Sequence, residues 1–381
     1  MAVEIVEGNP PPENLLPIWE SLLHQSRSPN PFLTPLWNQL WLEHFGSVLE
    51  LKTLLLRSAG GEPLGLGLFS HSRQGRWEKS TSSPSPWPSL LEGEGTLPGI
   101  SNPSSPLGEA RTRREFSNLL PGEMEGKSIT LLGSKDVWDY RDLILSAGKE
   151  KEALALLARW AADGPWAGLD FSGISEFSPT LEFLPSLLQA SGFRVQWEVE
   201  EVAVFLKIPA TWDDFLAQLG SKDRHELRRK MRRLEREAAF EIKEGAGETL
   251  DQRLDSFFEL HRKSRRDKAE FMIPRMETFF REIAHRFQER GWFSLPFLRV
   301  EGRDIAAYFS FRYGGIEYVY NSGYDPDYSR LSPGIVLAAH CIGQAIEKRL
   351  KVFHFLRGQE DYKYRLGGKE EKIYRIEAMK E

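Results

Sequence analysis

Between Phe32 and Phe45 the apolar residues Leu33, Leu36, Trp37, Leu40, Trp41 and Phe45 recur every three or four positions, the period of an amphipathic helix. The pattern then changes to extended runs at 51–57 and 63–70 around Ala59-Gly60-Gly61, which predicts a hairpin. Strands at 129–132, 141–145 and 167–171 alternate with helices at 150–163 and 180–191, the latter stopped by Gly192. A long extended run follows over 193–210, then a short helix over 212–219.

Helices at 221–237, 250–268 and 274–290 open the second half. Strands at 292–300, 305–313 and 317–322 follow, the last two joined at Gly314-Gly315, before a helix over 334–349 and a strand over 352–356. Both halves thus give helix, antiparallel strands, helix and strand, which predicts two copies of one unit in an α/β (α+β) class fold.

A chain of 381 residues exceeds what one core usually supports. Two domains are expected, 1–195 and 196–381, with the Ser/Pro/Gly-rich stretch 80–108 and its Trp87 as an irregular surface loop of the first. Hydrophobic content of 40% and charged content of 28% describe an ordinary globular protein, and a net charge of -5 argues against a general nucleic-acid coat protein. The single cysteine, Cys341, excludes an internal disulfide. The start MAVEIVEGNPPPEN lacks the basic and apolar regions of a secretory signal, and no apolar run approaches the roughly 20 residues of a membrane span. A cytoplasmic protein without a membrane span is expected.

The stretch Tyr318 to Leu337 runs from an aromatic strand through Asp325-Pro326 into a helix opening Ser332-Pro333-Gly334. Ser332 suits the cap, Pro333 the first helical position, and Gly334 lets a ligand approach the backbone. Free N–H groups and the helix dipole attract an anion, and Arg330 just upstream is placed to clamp a phosphate. Residues 221–237 form a strongly basic amphipathic helix with a narrow apolar stripe of Leu227, Met231 and Leu234, read either as a solvated face or as a surface for an anionic substrate.

Other chemistries find little support. Gly122 to Ser128 mimics a phosphate loop with one residue too few, and Leu64-Gly65-Leu66-Gly67 lacks the third glycine of a dinucleotide fingerprint. No cysteine pair or His-Glu-x-x-His spacing suggests a metal. Cys341 reads as a small buried apolar residue.

The blocks NPFLTPLW at 30–37, LLGSKDVWDYRDL at 131–143, GISEFSPT at 173–180, RHELRRKMRRLE at 224–235, YNSGYDPDYSRLSPG at 320–334 and FHFLRGQEDYKYRLG at 353–367 occur in one order along the chain. On these blocks the chain resembles the CelD-like (cellulose-biosynthesis-protein-type) group of the GNAT acyl-CoA N-acyltransferases, relatives of the Fem-type aminoacyltransferases. The resemblance implies two tandem GNAT-like domains with mixed, mainly antiparallel sheets flanked by helices, the first degenerate and the second holding an acyl-CoA, such as acetyl-CoA, as co-substrate. Tyr318, Tyr320 and Ser322 would line the pantetheine, and Arg330, Leu331, Ser332 and Gly334 would bind the pyrophosphate. A backbone N–H near Asn321 would stabilise the oxyanion, and Tyr362 or Tyr364 would protonate the thiolate. Asp325, Glu360 or His354 would serve as base, and Arg224, Arg228 and Lys363 would bind the acceptor. The acceptor would be a small-molecule or glycan amine in the cleft between the halves. A non-catalytic assembly protein, or a transferase using aminoacyl-tRNA, are the alternatives. Two departures stand out: Pro333 removes one N–H from the phosphate turn, and His354 occupies a position where the group usually has Asp.

Overall fold

The computed structural model describes residues 2–6, 8–46, 50–72, 127–244 and 249–381. The loop expected at 80–108 with Trp87, and all but the end of the 122–128 glycine motif, lie outside the described residues. The first half contains β1 (Ala2–Val6), α1 (Leu16–Gln25), α2 (Pro35–Phe45), β2 (Glu50–Arg57), β3 (Pro63–Ser72), β4 (Lys127–Leu131), β5 (Ile144–Leu145), α3 (Glu150–Asp163), β6 (Trp166–Ser175), α4 (Pro179–Ala190) and β7 (Phe193–Lys207). The second contains α5 (Trp212–Gln218), α6 (Ser221–Glu237), β8 (Phe240–Glu244), α7 (Leu250–Ser264), α8 (Arg266–Phe271), α9 (Pro274–Glu289), β9 (Phe293–Ser294), β10 (Pro296–Val300), β11 (Arg303–Tyr313), β12 (Ile316–Tyr324), α10 (Pro333–Glu347), β13 (Val352–Arg357), α11 (Asp361–Arg365) and β14 (Lys369–Lys380).

All the described strands join one sheet in the order β1-β2-β3-β4-β6-β14-β7-β13-β12-β11-β10-β8, with β5 on β3 and β9 on β11. Only β4–β6 and β12–β13 pair in parallel among the described strands. Each parallel partner arrives by a helical crossover, α3 in the first half and α10 in the second, as parallel neighbours require. The order inferred from the sequence therefore repeats in space: three antiparallel strands, a crossover helix and a parallel strand.

The two units exchange their last strands. β7 leaves β6 to pair with β13, while β14, from the end of the chain, is inserted between β6 and β7. The expected boundary at 195/196 falls inside β7, so the division is one of topology and the sheet runs through it. β1, α1, β8, α11 and β14 add to the elements read from the sequence, and the helix expected over 250–268 is broken at Arg265, whose backbone is extended at φ -167 and ψ 150.

Over its inner strands the sheet is covered on both faces, so their side chains are buried on alternating sides, while β1, β8 and much of β7 remain partly open to solvent. Leu54 and Leu56 face α3 and α4, whereas Leu55 joins the opposite core with α1, α2, α7 and α9. In the second half Phe309 and Phe311 point to that shared core, and Tyr308 to a third cluster under α5, α6 and α10. The shared core fastens the halves through aromatic rings: Trp37 meets Tyr320 at 5.6 Å, Phe311 at 5.5 Å and Phe279 at 5.7 Å between centroids, each nearly edge to face. No helix among the described residues is long and apolar enough to cross a membrane.

Candidate active site

The pairing of β12 with β13 is confined to Ile316–Val352, Glu317–Phe353 and Tyr318–His354. Beyond that point β12 stays with β11 as far as Tyr324, and β13 stays with β7 through Arg357. The two strands part and leave a gap. Its cause is local: Val319 opposes Ser310 and Asn321 opposes Phe309, so Tyr320 is an extra residue, a bulge that bends β12 away. β13 carries its own irregularity between His354 and Leu356, with Leu356 at φ 59.

Backbone direction follows from the ladder. Asp325 N–H donates to Ile305 O at 2.9 Å. Alternation in an antiparallel pair then directs the amides of Gly323 and Asn321 at β11 and those of Ser322 and Tyr324 at the open side. The Ser322 N–H therefore points away from β11, toward the side where β13 has parted. Near Asn321, where the resemblance placed a free backbone N–H, the bulge has shifted the alternation by one residue, so the outward amide is that of Ser322 and not of Asn321.

Asn321 contributes its side chain instead, with His261 Nε2 3.3 Å from Asn321 Oδ1. His261 is buried, and burial with the neighbouring Lys268 holds its pKa well below the ordinary histidine value, so the ring is neutral. Lys268, on α8, donates to Ser322 O and lies 3.3 Å from Ser322 Oγ. Gly323 allows this approach of helix and strand: a Cβ there would stand 2.5 Å from His261 N and 2.7 Å from Leu260 C.

Across the gap, the first half of the chain meets the end of β13. Arg357 Nε and Nη2 donate to Asp139 O at 3.0 and 2.7 Å, and Tyr320 Oη donates to Val137 O at 2.9 Å. Burial pushes the Asp139 carboxyl up, with the Arg357 charge opposing it. Lys363 is fully buried and donates to Leu356 O, Arg357 O and Gly358 O at 3.3, 2.6 and 3.0 Å, with Glu360 Oε2 2.9 Å away. It ties the irregular end of β13 to α11. That position removes Lys363 from acceptor binding and leaves Glu360 as its counter-ion, not a free base.

His354 does not fit the expected role of base. Its Nδ1 accepts from Leu356 N–H at 3.0 Å, which puts the ring proton on Nε2, 3.0 Å from Glu371 Oε2 and 3.1 Å from Tyr140 Oη. No lone pair remains to take a proton from a substrate. Burial pushes Glu371 up, but hydrogen bonds from His354, Ser175 and Tyr140 hold it below its usual value. Asp325 is also committed: its Oδ1 accepts from Asp327 N–H at 3.0 Å and its Oδ2 from Lys263 Nζ at 2.7 Å, the work of a turn residue.

Of the two tyrosines, Tyr362 is buried against Phe355 with ring centroids 6.1 Å apart, beside the gap's second strand. Burial and Glu360 raise its pKa, so the phenol stays protonated. Tyr364 turns outward and donates to Glu370 Oε1 at 2.9 Å; burial and that bond push it up to about 12. Tyr318 stacks on His354 at 5.6 Å and Tyr320 is buried in the shared core, so what either offers to a ligand is backbone.

Downstream of the gap, a 3-10 helix at Pro326–Leu331 ends in Ser332, left-handed at φ 54 and ψ 50, and α10 begins. Ser332 Oγ makes no capping bond; it accepts from Lys230 Nζ at 2.9 Å. Arg233 Nη1 donates to Arg330 O at 3.1 Å, Arg330 pairs with Glu237 at 2.9 Å, and Tyr308 Oη donates to Gly334 O at 2.9 Å. Leu331 packs on the core under α10. The buried stripe of the basic helix α6 is Leu227, Lys230 and Leu234, which turns Lys230 and Arg233 to this junction. Arg224 instead donates to Leu216 O at 3.3 Å, and Arg228 is exposed. Lys230 and Arg233 of α6 thus stand beside the α10 N-terminus, where Pro333 has no N–H to offer and Ile335 N–H already donates to Ser332 O at 3.1 Å.

Sequence reading missed Lys268, His261, Asp139 and Tyr140, and took Lys230 and Arg233 only as part of the basic helix. Asp139 and Tyr140 stand inside the 131–143 block that carried the resemblance. Lys268 follows His261 by seven residues, one helical stripe, a signal hidden by the break at Arg265.

Residues 221–364 match the family model described as an acetyltransferase (GNAT) domain. The matched segment runs from the basic helix α6 to the end of α11 and encloses the gap and the turn, while β14 lies outside it. No curated protein matches the chain. Among solved structures the chain is similar to FemX, with 10% identity over 98% of this chain and 97% of that one and a TM-score of 0.59. A conserved protein of unknown function from Bacteroides thetaiotaomicron VPI-5482 gives 11% identity over 96% and 97% and a TM-score of 0.54. At those identities the likeness is one of fold: a mixed α/β architecture with a large, mainly antiparallel sheet flanked by helices, shared end to end with FemX.

Proposed function

We propose that the protein is an N-acyltransferase that moves an acyl group, acetyl in the simplest case, from coenzyme A to an amine of an amino sugar or cell-envelope precursor. One observation carries this reading: β12 and β13 part immediately after Tyr318 and His354, and the opened edge of β12 leads into the cationic N-terminus of α10. A pantetheine arm lies along that edge, and its pyrophosphate sits at Gly334 among Lys230, Arg233 and Arg330. The amine attacks the thioester directly, without an enzyme-bound intermediate. Ser322 N–H faces the carbonyl oxygen as charge develops, and Tyr362 supplies a proton to the departing thiolate. The acceptor enters where 137–141 of the first half face the gap. The CelD-like resemblance belongs to this proposal, as does a cytoplasmic setting.

The test is incubation with acetyl-CoA and a panel of amino sugars and polyamines. Thiol release together with an N-acetylated product seen by mass spectrometry is the expected result. Free thiol without N-acylation of any amine contradicts the reading.

A second reading has its own observation. The exposed remainder of α6, with Arg228, Arg232 and Arg236, continues the positive surface beyond the turn, further than a nucleoside pyrophosphate needs. An aminoacyl-tRNA donor fits that extent. It predicts that RNA, and not free coenzyme A, competes for the site with steep salt dependence.

A further inference from the structure

Lys268 lies at the opened edge of β12, one residue past Asn321 in register, and is 1% exposed. The extended residue Arg265 ends α7 and restarts the chain as α8, and this break delivers Lys268 to Ser322. Around it stand Arg265 and Asp267 from its own segment, Glu360 and Lys363 from the α11 side, and the neutral His261 from α7. Ser322 turns both its carbonyl and its N–H into the gap, so the Lys268 nitrogen sits on the same edge as the amide that faces the reacting carbonyl.

We propose that Lys268 is the base that takes the proton of the acceptor amine in the gap between β12 and β13. The inference rests on the acyl-transfer reading and adds a catalytic residue to it. Burial and the neighbouring Arg265 charge bring its pKa down to about 7, so near neutrality a large share of molecules carries the free amine.

The protons balance as follows. The acceptor ammonium loses one N–H proton to the Lys268 lone pair, giving Lys268 ammonium and a neutral amine. The amine attacks the thioester carbon, and the C–S bond breaks from the tetrahedral adduct. Tyr362 Oη gives its proton to the thiolate and is reloaded by one of the two N–H protons of the adduct, the other staying on the amide nitrogen. Lys268 then releases its proton to solvent. The sum is ammonium plus thioester to amide, thiol and one proton.

The experiment measures kcat against pH with acetyl-CoA and glucosamine for the parent, Lys268→Met and Lys268→Arg, with acetyl-CoA binding by calorimetry alongside. The parent is expected to show a limb that rises with pH to a plateau, with a midpoint near 7. Both variants are expected to bind acetyl-CoA within about threefold of the parent and to lose kcat by roughly 100-fold or more, with the limb abolished. Ethylamine added to Lys268→Ala should restore part of the rate. A role confined to capping Ser322 O would lower stability and leave the limb in place; that outcome, or kcat within threefold in Lys268→Met, overturns the proposal. Should the variants fail to fold, the Nζ resonance of the parent labelled with lysine ε-15N decides. A titration near pH 7 supports the proposal, and one above about 9.5 overturns it. Absence of acetyl-CoA binding and transfer by the parent overturns the acyl-transfer reading and this inference together, whereas transfer that survives in Lys268→Met removes this inference alone.

Discussion

Arg357, the last residue of β13, reaches out of the second half and closes on the main chain of Asp139, donating to its carbonyl from Nε at 3.0 Å and Nη2 at 2.7 Å, with the Asp139 carboxylate 3.7 Å away. Both residues are buried. Removing one member strands the other. Arg357→Met should lower unfolding free energy by about 3–5 kcal/mol in urea titrations, and adding Asp139→Asn should recover part of the loss, because it removes the abandoned charge. Additive losses would mean that the pair is not coupled.

The exchanged strands make each unit depend on the other. β14 pairs with β7 along almost its whole length and with β6 on its far edge. Deleting 369–381 exposes the facing edges of β6 and β7 and takes Ile376 and Ala378 out of the first-half core. The truncated chain is expected to lose cooperative thermal unfolding and to aggregate. A sharp transition near that of the full chain would contradict the strand exchange.

Gly323→Ala tests the approach of α7 to β12. The added methyl would meet the backbone at His261 N, which no rotamer change relieves. A destabilisation of about 1–3 kcal/mol or more is expected. The same change at Gly343, whose Cβ would come no nearer than 3.8 Å to Trp212, should be tolerated.

His261 makes stability depend on acidity in a stated direction. Its folded pKa lies well below the ordinary histidine value because of burial, so below about pH 6.5 the unfolded chain binds a proton that the folded one does not. Stability therefore falls as pH drops through that region, by up to about 1.4 kcal/mol per unit. Comparing urea midpoints at pH 7 and pH 5 should show a steeper loss for the parent than for His261→Phe. Equal slopes would mean that His261 is protonated in the folded state.

Much of the architecture was legible because periodicity survives wherever a segment is covered on one side. Residues 150–163 alternate at helical spacing and form α3 over that span, and Gly314-Gly315 joins β11 to β12. β14 escaped because its first four residues, Lys369 to Lys372, are all charged, so Ile373, Ile376 and Ala378 do not announce a strand buried between two others. The start of α10 was legible from Ser332-Pro333-Gly334. Which residues act beside it was not, since the partnering of His354, Lys363 and Asp325 depends on contacts more than ten residues distant or on a local backbone irregularity. Lys268 could not be seen because a single extended residue, Arg265, redirects the chain.

The measurement that bears most directly on the central claim is calorimetric titration of acetyl-CoA into the parent and into Gly334→Trp. The bulky side chain would stand at the buried first turn of α10, where the donor's pyrophosphate is placed. The account predicts saturable binding by the parent, weakened by Lys230→Gln and lost in Gly334→Trp, with both variants folded by circular dichroism. No binding by the parent, or the same affinity in Gly334→Trp, would contradict it.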